Sequence, residues 1–212
     1  MMKKHILYTI IVTLIFSFLA MTKKENKSIY NVTYNKDTVS TVLAMEHSEQ
    51  EEISQIPFAG NSFVGFKEAV AFKESQGKYS VVNKFGYLGK YQFGKSTLKR
   101  FKIYDTNKFL NTPELQEDAF IALCSLNKWI LRRDIKRSVG KRMNGVKITE
   151  SGILAAAHLA GAGNVKKFLR TGGNYAFEDA YGTTIKHYMK KFSGYNTSNI
   201  RALKRPVIGE MI

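Results

Sequence analysis

Apolar residues are distributed along this chain in three different ways. Ile6 to Ala20 is an uncharged, mostly apolar run of 15 residues between Lys3-Lys4-His5 and Lys23-Lys24. From there to about residue 60 the apolar positions hold no helical or strand period, and Asn, Lys, Thr, Ser and Glu dominate, as in a flexible linker. After Pro57 amphipathic spacing sets in and continues almost to the end. Ser62 is placed to cap a helix reaching about Ser75, with Phe63, Phe66 and Val70 on one face and Gly77 as its stop. Thr112-Pro113-Glu114 supplies a cap, a first-turn proline and an early acid for a second helix through Leu115, Ala119, Leu123, Leu126 and Ile130. Further helices are expected over about 150–159, 164–170 and 183–192. Val81 to Gly94, rich in Gly, Tyr and Phe, suits irregular or short hairpin structure, and Asn144-Gly145 marks a turn. The expected fold class is mainly α: one α+β domain over 61–200 with a small irregular or hairpin segment, then a tail over 201–212. No internal repeat or low-complexity block is visible.

Composition narrows the classes. With 44% hydrophobic residues among 212, the chain can bury a core, which excludes a wholly disordered protein. The single Cys124 excludes an intramolecular disulfide scaffold and, beside Phe120 and Leu123, reads as a small buried apolar residue. The basic start and apolar run make residues 1–22 a signal peptide or an N-terminal anchor, so the chain is expected to be exported, with 23–60 as a flexible linker. The run is shorter than the ~20 residues that span a bilayer, which favours a cleaved signal. Phe18, at the −3 position of a cut after Ala20, departs from the small-x-small rule and keeps the anchor as the alternative. Membrane contact is expected only through that segment if it stays uncleaved.

Candidate chemistry begins at Glu74. At 100° per residue it falls in the arc of Phe63, Phe66 and Val70, at the end of the helix. Burial disfavours the ionised form of a carboxyl, and a carboxyl that keeps its proton can protonate a glycosidic oxygen. The plain alternative is a solvated acid paired with Lys73 or Lys78.

Three segments follow in order: Phe72-Lys73-Glu74-Ser75-Gln76-Gly77-Lys78-Tyr79, then Gly86-Tyr87-Leu88-Gly89-Lys90-Tyr91-Gln92-Phe93, then Leu154-Ala155-Ala156-Ala157-His158-Leu159-Ala160-Gly161-Ala162-Gly163-Asn164-Val165. Together they resemble the lytic transglycosylase branch of the lysozyme superfamily, in which a helix ends in Glu-Ser, a Gly-x-x-Gln segment follows, and an Ala-x-x-Ala-Gly-x-Gly turn opens a later helix. The resemblance covers about residues 62–195 and implies a lysozyme-like catalytic domain acting on peptidoglycan. It makes Glu74 the sole catalytic acid and then base. It gives Ser75 the part of orienting that acid or touching the sugar, and Gln92 a hydrogen bond to the glycan. Tyr91 joins the same substrate-binding set, and Tyr188, ahead of Met189, takes the place of a late Tyr that contacts substrate or acid. The family commonly has Tyr-Asn where this chain has His158-Leu159, so His158 is expected to replace the Tyr as a polar contact.

The implied reaction cuts between N-acetylmuramic acid and N-acetylglucosamine and leaves a 1,6-anhydro end. Hydrolytic glycosidases usually use two carboxylates, whereas Ser75 to Tyr104 contains none. Asp105, Glu114, Glu150, Glu178 and Asp179 stay open as partners through folding. The rivals are a hydrolytic muramidase or chitinase-like glycosidase, and a non-catalytic cell-wall-binding module.

The charge fits an anionic partner. Lys plus Arg number 33 against 17 Asp plus Glu, a formal +16, and Lys128, Arg132, Arg133, Lys136, Arg137, Lys141, Arg142 and Lys147 cluster around Asp134 alone. A basic face would be drawn to an anionic cell wall. No recognition-helix, zinc-finger or ribonucleoprotein signature is present, so nucleic acid is not expected. His5, His47, His158 and His187 lack metal-ligand spacing, and Gly86, Gly89 and Gly94 form no phosphate-binding fingerprint, so no metal or cofactor is implied.

Overall fold

The computed structural model describes residues 60–209. The expected export segment and, Gly60 apart, the linker lie outside the described residues. The first helix begins as its sequence asks: the Ser62 hydroxyl accepts the Gly65 N–H at 3.1 Å, and α1 runs over Phe63–Ser75. Left-handed Gln76 (φ 58°) ends it by returning its N–H to the Phe72 carbonyl. The segment 81–94 is irregular, closed by isolated bridges Val82–Leu88 and Leu88–Phe93.

Two short helices that the periodicity does not reveal come next, α2 (Lys95–Arg100) and α3 (Thr106–Leu110), the latter capped by the Asp105 carboxylate on the Asn107 and Lys108 N–H groups. The long central element is α4, Pro113–Ser138, 26 residues and about 39 Å. Ala119 to Ala122 and Cys124 to Asn127 are all buried, so its middle is enclosed on several sides. It runs past Ile130 because Leu131, Asp134 and Ser138 continue the buried row while Arg132, Arg133, Lys136 and Arg137 stay outside. Buried Asp134 is held by the guanidinium groups of Arg137 and of Arg170.

A tight hairpin, β1 (Arg142–Met143) and β2 (Val146–Lys147), is paired antiparallel around the Asn144-Gly145 turn, Arg142 opposite Lys147. The helices expected over 150–159 and 164–170 are two helical stretches that meet at Gly161, whose φ 78° and ψ 151° are non-helical and suit glycine; together they are labelled α5 (Glu150–Arg170). The last helix is α6, Ile185–Lys191, capped by the Thr184 hydroxyl on the His187 N–H. Helix α5 packs against both α4 and α6 through Ile153 to Ala157, all buried. A Cβ on Gly152 would stand 2.6 Å from the Met189 carbonyl oxygen, so glycine there sets how closely α6 approaches α5.

The architecture is thus mainly α-helical. One core joins Phe66, Phe120, Leu131, Ile153, Phe168 and Phe192 from three of the helices and the residue after α6. Cys124 lies within it, 1% exposed, and burial pushes its thiol pKa up. Residues 201–209 are irregular and lie along α4, where the Leu203 N–H bonds to the Ser125 carbonyl at 3.2 Å. Among the described residues no helix is long and apolar enough to cross a membrane.

Candidate active site

A cleft of about 1030 Å³ opens between the end of α1, the 81–94 segment, α4, the bend of α5 and the turn around Tyr181. Glu74 lines it from the last turn of α1, half-buried. The Tyr188 hydroxyl donates to Glu74 Oε1 at 2.7 Å. Tyr188 is only 2% exposed, and burial together with the negative charge of Glu74 pushes its pKa well up, so the hydroxyl remains a donor. The close Gly152–Met189 approach fixes the neighbouring turn of α6. The acid is therefore held through Oε1 while its residue lines the cleft.

The other expected site residues separate into two groups. Gln92 and His158 line the cleft. Gln92 is in the left-handed region (φ 50°), and its Nε2 donates to the Gly89 carbonyl at 2.8 Å, which leaves Oε1 as the group able to accept. His158 Nε2 lies 2.8 Å from the Tyr91 carbonyl, which can only accept, so Nε2 carries the hydrogen. Its ring stands edge-on to Phe93 and Phe120, and Nδ1 is buried without a partner.

Ser75 and Tyr91 are not among the residues that line the cleft, and Tyr188 meets the acid, one of the two contacts expected of it, rather than the cleft itself. The Ser75 hydroxyl donates to the Lys90 carbonyl at 2.8 Å and clips the end of α1 to the 81–94 segment. Tyr91 is fully buried, stacked on Phe120 with ring centroids 4.1 Å apart, and gives its hydroxyl to Glu117 Oε2 at 2.8 Å. Its ring found an aromatic partner and its hydroxyl a carboxylate, which makes the interior the cheaper place. Tyr188 touches the acid and reaches the cleft only through it.

Nothing in the sequence pattern singles out the buried polar cluster beneath this wall. Lys90, 5% exposed, donates to Glu68 (2.7 Å) and Glu117 (2.8 Å), and Glu117 also receives Lys67 (2.7 Å) and Tyr79 (2.8 Å). Burial alone would raise the Glu117 pKa, but hydrogen bonds from Lys67, Lys90 and Tyr91 outweigh it and hold it at about 2. This cluster ties α1 and α4 to the strand of chain that carries Gln92.

Of the five carboxylates left open as partners of Glu74, Asp179 alone lines the cleft among the described residues. Asp105 caps α3, Glu150 binds Lys128 and Thr197, and Glu114 and Glu178 are exposed. Asp179 Oδ1 accepts the N–H groups of Tyr181 (2.9 Å) and Thr183 (2.7 Å), so it builds a turn. Exposed Phe85, Tyr87 and Tyr181 and the cations Lys95 and Arg100 complete the wall. Among the described residues no group of three or more His, Cys, Asp or Glu side chains gathers to hold a metal ion.

Comparison with protein-family models, curated proteins and solved structures finds no match.

Of the eight bases between Lys128 and Lys147, Lys128 pairs with Glu150 at 2.8 Å, Arg137 with Asp134, and Arg132 covers the Trp129 ring at 4.2 Å. Arg133, Lys136, Lys141, Arg142 and Lys147 are exposed.

Proposed function

We propose that this chain is an exported peptidoglycan-cleaving enzyme with a lysozyme-like domain, cutting between N-acetylmuramic acid and N-acetylglucosamine as a lytic transglycosylase. The observation that carries the reading is a helix-end acid, Glu74, set in a large cleft with one oxygen bonded by a buried tyrosine. Glu74 Oε2 gives its proton to the glycosidic oxygen as the C1–O bond breaks. The substrate's N-acetyl oxygen stabilises C1, and the ionised Glu74 then takes the C6 hydroxyl proton as O6 bonds to C1. The acid returns to its starting form and no water is consumed. Gln92 Oε1 accepts from the sugar. The exposed bases from Arg133 to Lys147 draw the domain to the anionic wall.

A second reading, hydrolysis as in a muramidase, is favoured by one observation, that Asp179 shares the cleft. The turn bonds already engaging Asp179 weigh against it. Mass spectrometry of sacculi digested by the full chain decides the matter. The transglycosylase gives anhydro ends, lighter by one water, a hydrolase gives reducing ends, and a silent wall-binding module gives no products. Glu74→Gln, nearly isosteric and unable to release a proton, should abolish product while leaving folding intact, since loss of a general acid costs ~10² to 10⁴ in rate. Near-normal turnover by that variant would remove Glu74 from the mechanism.

A further inference from the structure

Two five-residue turns at the cleft rim are built alike, although they lie far apart in the chain: Asn83-Lys84-Phe85-Gly86-Tyr87 and Asp179-Ala180-Tyr181-Gly182-Thr183. In each, the first side chain's Oδ1 accepts the N–H of the third residue, at 2.9 Å in both, and of the fifth, at 3.1 and 2.7 Å. The N–H of the fourth residue bonds to the first carbonyl at 2.9 and 3.0 Å, and the first N–H to the fifth carbonyl at 3.1 and 3.0 Å. The fourth residue is glycine with φ 79° or 75°, a conformation that side chains resist. Flanking bridges, Val82–Leu88 and Glu178–Thr184, also correspond. Each turn therefore presents its third residue, an aromatic, on a pre-set backbone.

Those two aromatics meet. Phe85 and Tyr181 have ring centroids 5.3 Å apart at 73°, yet remain 49% and 60% exposed, and both line the cleft that contains Glu74. Lys84 places its ammonium 5.1 and 5.4 Å from the two ring centroids. Rings whose only purpose was mutual packing would have no reason to keep half their surface open to a binding cavity.

We propose that Phe85 and Tyr181 form an aromatic platform that stacks on an N-acetylated pyranose ring of the strand bound in this cleft. A pyranose presents axial C–H groups on one face, and an aromatic face covers them while the equatorial hydroxyls stay wet. The two rings, nearly perpendicular, offer one face and one edge to the same sugar. The turn hydrogen bonds hold the rings before ligand arrives, so little side-chain freedom is lost on binding. Lys84 makes the platform positive, which suits a strand carrying lactyl and peptide carboxylates.

This inference rests on the glycan-cleaving reading, and the test separates the two. In full-length Glu74→Gln, which does not turn over, titration calorimetry with the neutral tetramer of β-1,4-linked N-acetylglucosamine measures binding alone. Phe85→Ala and Tyr181→Ala should each weaken affinity about tenfold. Phe85→Leu and Tyr181→Leu, which keep apolar bulk without the π face, should lose nearly as much. Phe85→Tyr and Tyr181→Phe should stay within about twofold of the parent. Melting temperatures should not move, because the replaced rings are half exposed. Leu and Ala variants that bind as well as the parent overturn the platform and leave the enzyme reading standing. A parent that binds neither tetramer nor sacculi, with a wild type that releases no products, overturns both.

Discussion

Replacing Glu117 by Gln tests the cluster that seats the cleft wall. The carboxylate receives Lys67, Lys90, Tyr79 and Tyr91 at 2.7 to 2.8 Å, and these bonds hold its pKa at about 2 against an ordinary 4.5. At about 1.36 kcal/mol per unit, that depression corresponds to roughly 3 kcal/mol of folding stability. The folded-state pKa is the lower one, so this stability is fully present above about pH 4.5 and is lost as pH falls towards about 2. Gln fills the same space but leaves Lys90, 5% exposed, with one anionic partner fewer, a loss of the kind that costs ~3 to 5 kcal/mol. Urea unfolding followed by far-ultraviolet circular dichroism should show Glu117→Gln less stable by about 3 kcal/mol at neutral pH, with the gap closing towards about pH 2. A gap under about 1 kcal/mol at neutral pH, or one of the same size at both ends of the range, would refute the argument.

Three other perturbations have definite outcomes. Tyr188→Phe removes the donor at 2.7 Å from Glu74 Oε1, and since a hydrogen bond to a charged group is worth about 1.5 to 3 kcal/mol, kcat on soluble glycan should fall about 10- to 100-fold with KM nearly unchanged. Asp179→Asn keeps an oxygen that can accept both turn N–H groups, as Asn83 does in the matching turn, so activity within about threefold of wild type is expected; a folded but inactive variant would make Asp179 the second acid of a hydrolase. Reversing Arg133, Lys136, Lys141 and Arg142 to Glu should weaken sedimentation with sacculi and flatten its salt dependence, because exposed charges act over ~10 Å at 0.1 M ionic strength, while cleavage of a short neutral glycan is spared.

The helix starts were legible where a cap or a proline announces them, at Ser62 and Thr112-Pro113, and the Gly161 break stands where an Ala-rich pattern meets glycines. Helices α2 and α3, of six and five residues, are too short for a 3.6-residue period to register. The far half of α4 was hidden because only Leu131, Asp134 and Ser138 mark its inner row among many bases, and a buried aspartate reads as polar until Arg170 arrives from α5. At the site, Glu74 was visible from its helical arc, and its link to Tyr188, 114 residues away, came from the resemblance. Tyr91 and Gln92 were inseparable, since irregular backbone has no period to say that one points inward and its neighbour into the cleft. The Asn-x-Phe-Gly-Tyr and Asp-x-Tyr-Gly-Thr turns were written in the sequence, but their significance lies in Phe85 meeting Tyr181, which only the fold provides.

The chain's single thiol gives it a built-in clock. Cys124 sits in the middle of α4 at 1% exposure, against the same core that seats Phe120 and Leu131, so a thiol-directed reagent in water meets it only when that packing opens. Labelling then counts opening events at one known position, with no engineered cysteine and no competing sulfhydryl to blur the signal. When closing outpaces labelling, the rate reports the free energy of opening, and in excess reagent it becomes the opening rate itself.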